Sequence, residues 1–274
     1  MSTLAPAQVV PRLEHTGRVT QLRVFLSELT KLRSVRSTKW SLFTAFVLAI
    51  GVPAIAAAVF SHHWPQASPH DRADFHPLEL TFVGVQIAQL AIGVLGVLVI
   101  TAEYSTGMIR ASFTAVPKRL PVLWAKIGVF GAVTFSLMLP AVLIAFFVGQ
   151  AILSRHHINV AFSAPHVARV LVGAALYLTV VGLFGLGLGA IVRSTAGGIS
   201  AFAAIMFVLP PLMNVLPASW NHAASPYLPL QAGEAILATT PGGHLSPWVG
   251  LLLFAGYAAV AIAVAAVLLV RRDT

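Results

Sequence analysis

The chain has no cysteine and very little charge: 8 acidic and 17 basic side chains in 274 residues, 9% in all. The first absence excludes a disulfide-stapled secreted domain. The second excludes a water-soluble globule, because ordinary domains carry roughly 25% charged residues and need them to cover their surface. Disorder is excluded by the opposite feature, an abundance of Leu, Ile, Val and Phe within 58% hydrophobic residues. There is no G-x-x-x-x-G-K-S/T, so no loop of this chain cradles ATP phosphates by the P-loop route. Nor is there an H-E-x-x-H, and no histidine falls in an apolar block, which argues against an intramembrane metalloprotease or serine–histidine protease.

What is present is apolar sequence in blocks of membrane-spanning length. A hydrocarbon core about 30 Å thick needs roughly 20 apolar helical residues. Six charge-free blocks meet that length: Trp40–Phe60, Leu80–Thr101, Ile127–Leu153, Val170–Val192, Ile199–Leu216 and Val249–Val270. The third is long enough to tilt or project, and Pro210-Pro211 is expected to break or kink the end of the fifth. The fold expected is an all-α membrane protein of six transmembrane helices with an N-terminal interfacial amphipathic helix.

Orientation follows from the basic residues. Seven precede the first block, four lie between the second and third, one follows the fourth and two lie in the tail. The opposite loops hold only Arg72, Arg155 and Arg169. This asymmetry predicts both termini in the cytoplasm. The formal charge of +9 is thereby explained by basic cytoplasmic loops rather than by a nucleic-acid partner. The first apolar run begins only after 39 mostly polar residues, so no secretory signal is expected.

Leu22 to Val35 has the spacing of an amphipathic helix. Leu22, Phe25, Leu26, Leu29, Leu32 and Val35 form one apolar stripe, with Arg23, Ser27, Thr30, Lys31 and Ser34 opposite. Such a helix is either an interfacial anchor or a lever to a cytoplasmic partner. The loop from Glu103 to Lys126 leaves the second block through a carboxylate and carries Met108, Ile109 and Phe113, which are awkward if left in water. It reads as a docking surface, or as a segment dipping into the interface. Within the blocks, Gln86 and Gln89 are three apart and Gly93 and Gly96 continue their face. These amides, with Asn214, suggest a translocation path or a dimer seam, or simply interhelical hydrogen bonds. Gly185 and Gly189 have the spacing of a small-residue helix contact. The loop His62–His76 holds four histidines and two aspartates but no preorganising pair spacing, so a solvated loop is expected there.

Ser27-Glu-Leu-Thr-Lys-Leu-Arg-Ser-Val-Arg-Ser-Thr38 and Ile100-Thr-Ala-Glu-Tyr-Ser-Thr-Gly-Met-Ile-Arg110, trailed by Pro117, Arg119 and Lys126, resemble actinobacterial ABC transporter permeases of the type-2 exporter class. Gly-Leu-Gly-Ala-Ile-Val-Arg-Ser-Thr-Ala-Gly-Gly, ending at Gly198, and the terminal Arg-Arg-Asp extend the resemblance along nearly the whole chain. It implies a cytoplasmic arm at 1–21, a connecting helix at 22–39, a six-span domain at 40–270 and a tail at 271–274. Within the domain it implies a coupling loop at 103–126 and an outer cap at 217–246, broken into short pieces by its prolines. Glu103, Gly107, Met108, Ile109 and Arg110 are the implied ATPase-coupling residues.

The expected role is the permease subunit of an ABC exporter in the cell membrane, moving a lipophilic cargo. A second permease copy and a separate ATPase subunit would be its partners. ATP and Mg²⁺ would sit on that subunit, leaving this chain without a cofactor, a metal or catalytic residues. The alternatives are a secondary transporter and a non-transporting anchor or assembly protein.

Overall fold

A computed structural model of the chain describes residues 20–73, 75–108, 119–215, 217–239 and 245–271. Every regular element among them is helical: α1 (Gln21–Ser34), α2 (Arg36–His63), α3 (Pro69–Ala73), α4 (Glu79–Ser105), α5 (Arg119–Leu153), α6 (Val167–Val192), α7 (Thr195–Ala203), α8 (Leu209–Met213), α9 (Ala218–Ala224), α10 (Pro229–Glu234) and α11 (Pro247–Arg271). Six helical stretches are long and apolar enough to cross a membrane, namely α2, α4, α5, α6, the α7–α8 run and α11. The chain is thus all-helical with the make-up of a multi-pass membrane protein.

Each helix starts before its charge-free block, because a helix can continue into the headgroup region beyond the apolar core. The connecting helix expected at 22–39 divides at Val35, whose extended backbone (φ −76°, ψ 115°) ends α1. Residues 36–39 therefore form the first turn of α2. The fifth span is not broken at Pro210-Pro211. Its helix widens into a π turn at Ala204–Val208 and then runs on to Met213. Proline lacks the N–H that would bond four residues back and presses on that carbonyl. Those carbonyls belong to Met206 and Phe207, both in the wider turn, so the π geometry absorbs both prolines.

At the centre, α4 and α6 approach backbone to backbone. A Cβ on Gly96 would overlap Gly182 O, and one on Gly185 would overlap Gly93 O. Gly189 lies against Val97, so Gly185 and Gly189 do form the small-residue contact that their spacing suggests. Around this seam, Tyr177, Phe130, Phe146, Phe202 and Phe254 are fully buried.

The segment after α8 is divided at its prolines: Pro217 precedes α9, Pro226 lies in a 3₁₀ turn and Pro229 opens α10. α10 and the turn after it pack into the bundle. Ala232 and Ile236 are fully buried, and a Cβ on Gly233 would crowd the Tyr177 and Phe254 rings. Arg169 on α6 closes residues 217–239 into a hairpin by donating to Ile236 O at 3.1 Å and Ala238 O at 2.8 Å.

α1 packs on α5 through Val24, Phe25, Val122 and Ala125. The face it turns inward is not the middle of the apolar stripe. Leu22 and Leu26 are 67% and 51% exposed, while Val24 and Glu28 are buried. A lipid environment accepts exposed leucines, so the bundle is free to take the charged arc of the helix instead.

Candidate functional site

Four charged side chains meet where α1 crosses the end of α4 and the start of α5. Glu28 and Lys31 share one arc of α1 because they are three residues apart. Glu103 stands in the last turn of α4, and Lys126 in the second turn of α5. Lys126 Nζ donates to Glu28 Oε2 at 2.6 Å and to Glu103 Oε1 at 2.8 Å. Lys31 Nζ donates to Glu28 Oε1 at 2.6 Å and to Glu103 Oε1 at 3.3 Å. Glu28, Glu103 and Lys126 are all buried.

Among the described residues the knot sets two carboxylates against two ammonium groups. Partial burial disfavours the Lys31 ammonium, but its bond to Glu28 and the charges of Glu103 and Glu28 outweigh that, so its pKa rises above the ordinary value. A buried pair gains little over an apolar substitute, yet loss of one member strands the others at a cost of about 3–5 kcal/mol. The knot thus constrains three elements at once. It holds α1 against the bundle and fixes where the chain leaves α4. Glu103 Oε2, by contrast, accepts no hydrogen bond among the described residues.

The exit from α4 is a sharp turn. Thr106 caps the helix, its Oγ1 donating to Ala102 O at 2.8 Å. Gly107 follows in the left-handed region (φ +72°), where a side chain would be strained. Met108 comes next and is 45% exposed. Ile109 and Arg110 lie outside the described residues. Beside the turn, the Arg193 guanidinium sits 5.2 Å from the Tyr104 ring centre and donates to Leu268 O at 3.2 Å. This joins the ends of α4, α6 and α11.

Gln86 and Gln89 share one arc of α4 but differ in burial. Gln89 is buried on the Gly93–Gly96 side and accepts a hydrogen bond from Tyr177 Oη. The carboxylate of Glu234, which α10 brings in from the hairpin, is near enough for the Gln89 amide to favour its charged form. Burial pushes the pKa of Glu234 up to about 7, with the Gln89 amide opposing the shift. Three helical residues subtend about 300°, 60° short of a full turn, so Gln86 lies on the same arc one turn nearer the start of α4, where it is exposed. It lines an open cavity of ≈ 390 Å³ with Glu79, Phe82, Glu234, Leu237 and Thr239. Asn214 is exposed and accepts from Asn221 Nδ2 at 3.1 Å.

Sequence reasoning passed over Glu28, Tyr177 and Glu234 and treated Lys126 only as a boundary charge. The available signal was scarcity: Glu28 and Glu234 are two of only 8 acids. The histidine-rich loop folds on other contacts. Phe60 stacks on Phe75 at 4.1 Å, Arg72 lies 5.5 Å over Trp64, and Ser68 Oγ donates to Asp71 at 2.7 Å. Among the described residues no three His, Asp or Glu side chains converge as metal ligands. No protein-family model and no curated protein matches this chain.

Proposed function

We propose that the chain is the membrane-spanning permease of a type-2 ABC exporter in the cell membrane. In this reading both termini are cytoplasmic, and the permease pairs with a second copy or a paralogue. A separate subunit hydrolyses ATP with Mg²⁺. The observation that carries the reading is the Glu28–Lys31–Glu103–Lys126 knot. A merely connecting loop needs no such device. A segment that transmits force from a soluble motor needs a rigid base, and the knot ties the exit of α4 to both α1 and α5. Met108 stands exposed just beyond that base, where a partner's apolar groove could receive it. Arg110 would then meet an acidic rim, while the mainly apolar spans suit a lipophilic cargo.

Co-expression with a P-loop ATPase, co-purification and reconstitution test the reading. Cargo movement should require both subunits and ATP, and Met108→Asp should abolish ATPase association while leaving membrane insertion intact. Full association and transport by Met108→Asp would remove the coupling role.

One observation favours a second reading, a proton-coupled secondary transporter. Glu234 is a carboxyl group poised near neutrality beside Gln89 and an open cavity, as a coupling site requires. Transport driven by a pH gradient without ATP, and lost in Glu234→Gln, would select it over the first.

A further inference from the structure

The bend between α1 and α2 encloses a lateral groove of ≈ 580 Å³. Leu32 and Arg33 from the last turn of α1 form one side, with Lys39 from the first turn of α2 beside them. Leu42, Phe43 and Phe46 continue down α2, and Val133, Ser136 and Leu137 of α5 form the far wall. The composition changes along the groove. Both cations stand at the bend, whereas Phe46 lies about two helical turns further into the span. Ser136 adds little polarity, because its hydroxyl is occupied by Val133 O at 3.1 Å. Arg33 and Lys39 are exposed and form no ion pair among the described residues, unlike Lys31 and Lys126 close by.

An empty apolar groove is unfavourable in a bilayer, and two unpaired cations at its mouth favour a negative charge there. Basic pockets between spans bind the headgroups of anionic lipids in this way. We propose that this groove is a binding site for one anionic phospholipid. Its phosphate is held between Arg33 and Lys39, and an acyl chain lies along Leu42, Phe46, Val133 and Leu137. The lipid then braces α1 against α2, and so supports the helix that carries Glu28 and Lys31. The inference does not depend on the transport reading.

The delipidated full chain in detergent can be titrated with phosphatidylglycerol or phosphatidylcholine of identical acyl chains and the retained lipid counted by native mass spectrometry. One phosphatidylglycerol should be retained at least tenfold more strongly than phosphatidylcholine, and should raise the thermal midpoint of the protein. The Arg33→Gln/Lys39→Gln variant should lose at least fivefold of that preference and the thermal shift. Arg23→Gln/Arg271→Gln, which removes as much charge elsewhere, should keep both. Val133→Trp fills the apolar part and should lower retention with both cations in place; Ser136→Leu does the same with a smaller change, and an unaltered midpoint in phosphatidylcholine certifies the fold of each variant. Equal retention of the two lipids would overturn the proposal. So would equal losses in the two double variants, which would mean diffuse attraction only, or full retention in correctly folded groove-filling variants.

Discussion

The two ends of the bundle hold acidic groups below their surface in opposite ways. At the α1 end, Glu28 and Glu103 are each bonded to two ammonium groups, two carboxylates to two cations among the described residues. At the hairpin end, Glu234 faces an amide, and among the described residues lining its cavity the other charged group is a second carboxylate, Glu79. Desolvation of an ionised carboxylate is costly, and it is relieved either by a counter-charge or by a proton. The first end uses the counter-charge and is expected to be rigid. The second uses the proton, so it changes charge within the physiological range. A fixed mechanical joint at one end and a titratable element at the other is the division of labour that this contrast suggests.

The largest effect is expected from breaking the paired end. Lys126→Met leaves two buried carboxylates to repel each other and should destabilise the protein by about 3–5 kcal/mol. Adding Glu28→Gln and Glu103→Gln to the same chain should recover most of that loss. Thermal unfolding in detergent, followed by circular dichroism, measures both, and a single variant as stable as the parent would disprove the pairing.

Next in size is the seam that connects the two ends. Gly185→Val places branched carbons against the Gly93 backbone and should cost about 1–3 kcal/mol or more, since helix backbones in contact cannot yield as a side chain can. Gly256→Val, where a Cβ would meet nothing within 4 Å, is the matched control and should be close to neutral.

The titratable end is tested by pH. Glu234 binds its proton more tightly in the folded state, at a pKa of about 7 against the ordinary 4.5. Between these values the folded protein holds more protons than the unfolded chain, so stability falls as pH rises from about 4.5 to 7 and then levels. The fall should be on the order of 2 kcal/mol. Glu234→Gln should flatten this slope, leaving Glu79 as the remaining carboxyl group of the cavity. A slope unchanged by the substitution would place the titration elsewhere.

The smallest effect separates the two glutamines. Gln89→Leu strands the Tyr177 hydroxyl and removes the amide from Glu234, so it should cost about 1–3 kcal/mol. Gln86→Leu on the open cavity should stay within about 0.5 kcal/mol. Equal effects from both would mean that the division of the two residues between core and cavity is wrong.

Composition and spacing alone carried the all-helical class, the six spans and the Gly185–Gly189 contact. Each rests on a local requirement: 20 or so apolar residues to cross a bilayer, and small residues where two backbones touch. The emphasis on Glu103 was also legible, because a lone carboxylate at the end of an apolar block must find a partner or reach water. Its partners were not legible. Lys31 and Lys126 are 72 and 23 residues away, and Glu28 reaches Lys126 across 98. Pairing over such separations depends on how α1 rolls against α5. Hydrophobic periodicity could not settle that roll, because a membrane accepts exposed Leu22 and Leu26 as readily as the core does. For the same reason Gln86 and Gln89 were separable only once α10 had packed into the bundle. Sequence determined which segments enter the membrane, since the bilayer tests each helix for apolar length by itself. Tertiary structure decided which polar groups meet inside it, since the partner of a buried charge is chosen by helix rotation and packing, and neither is encoded in local pattern.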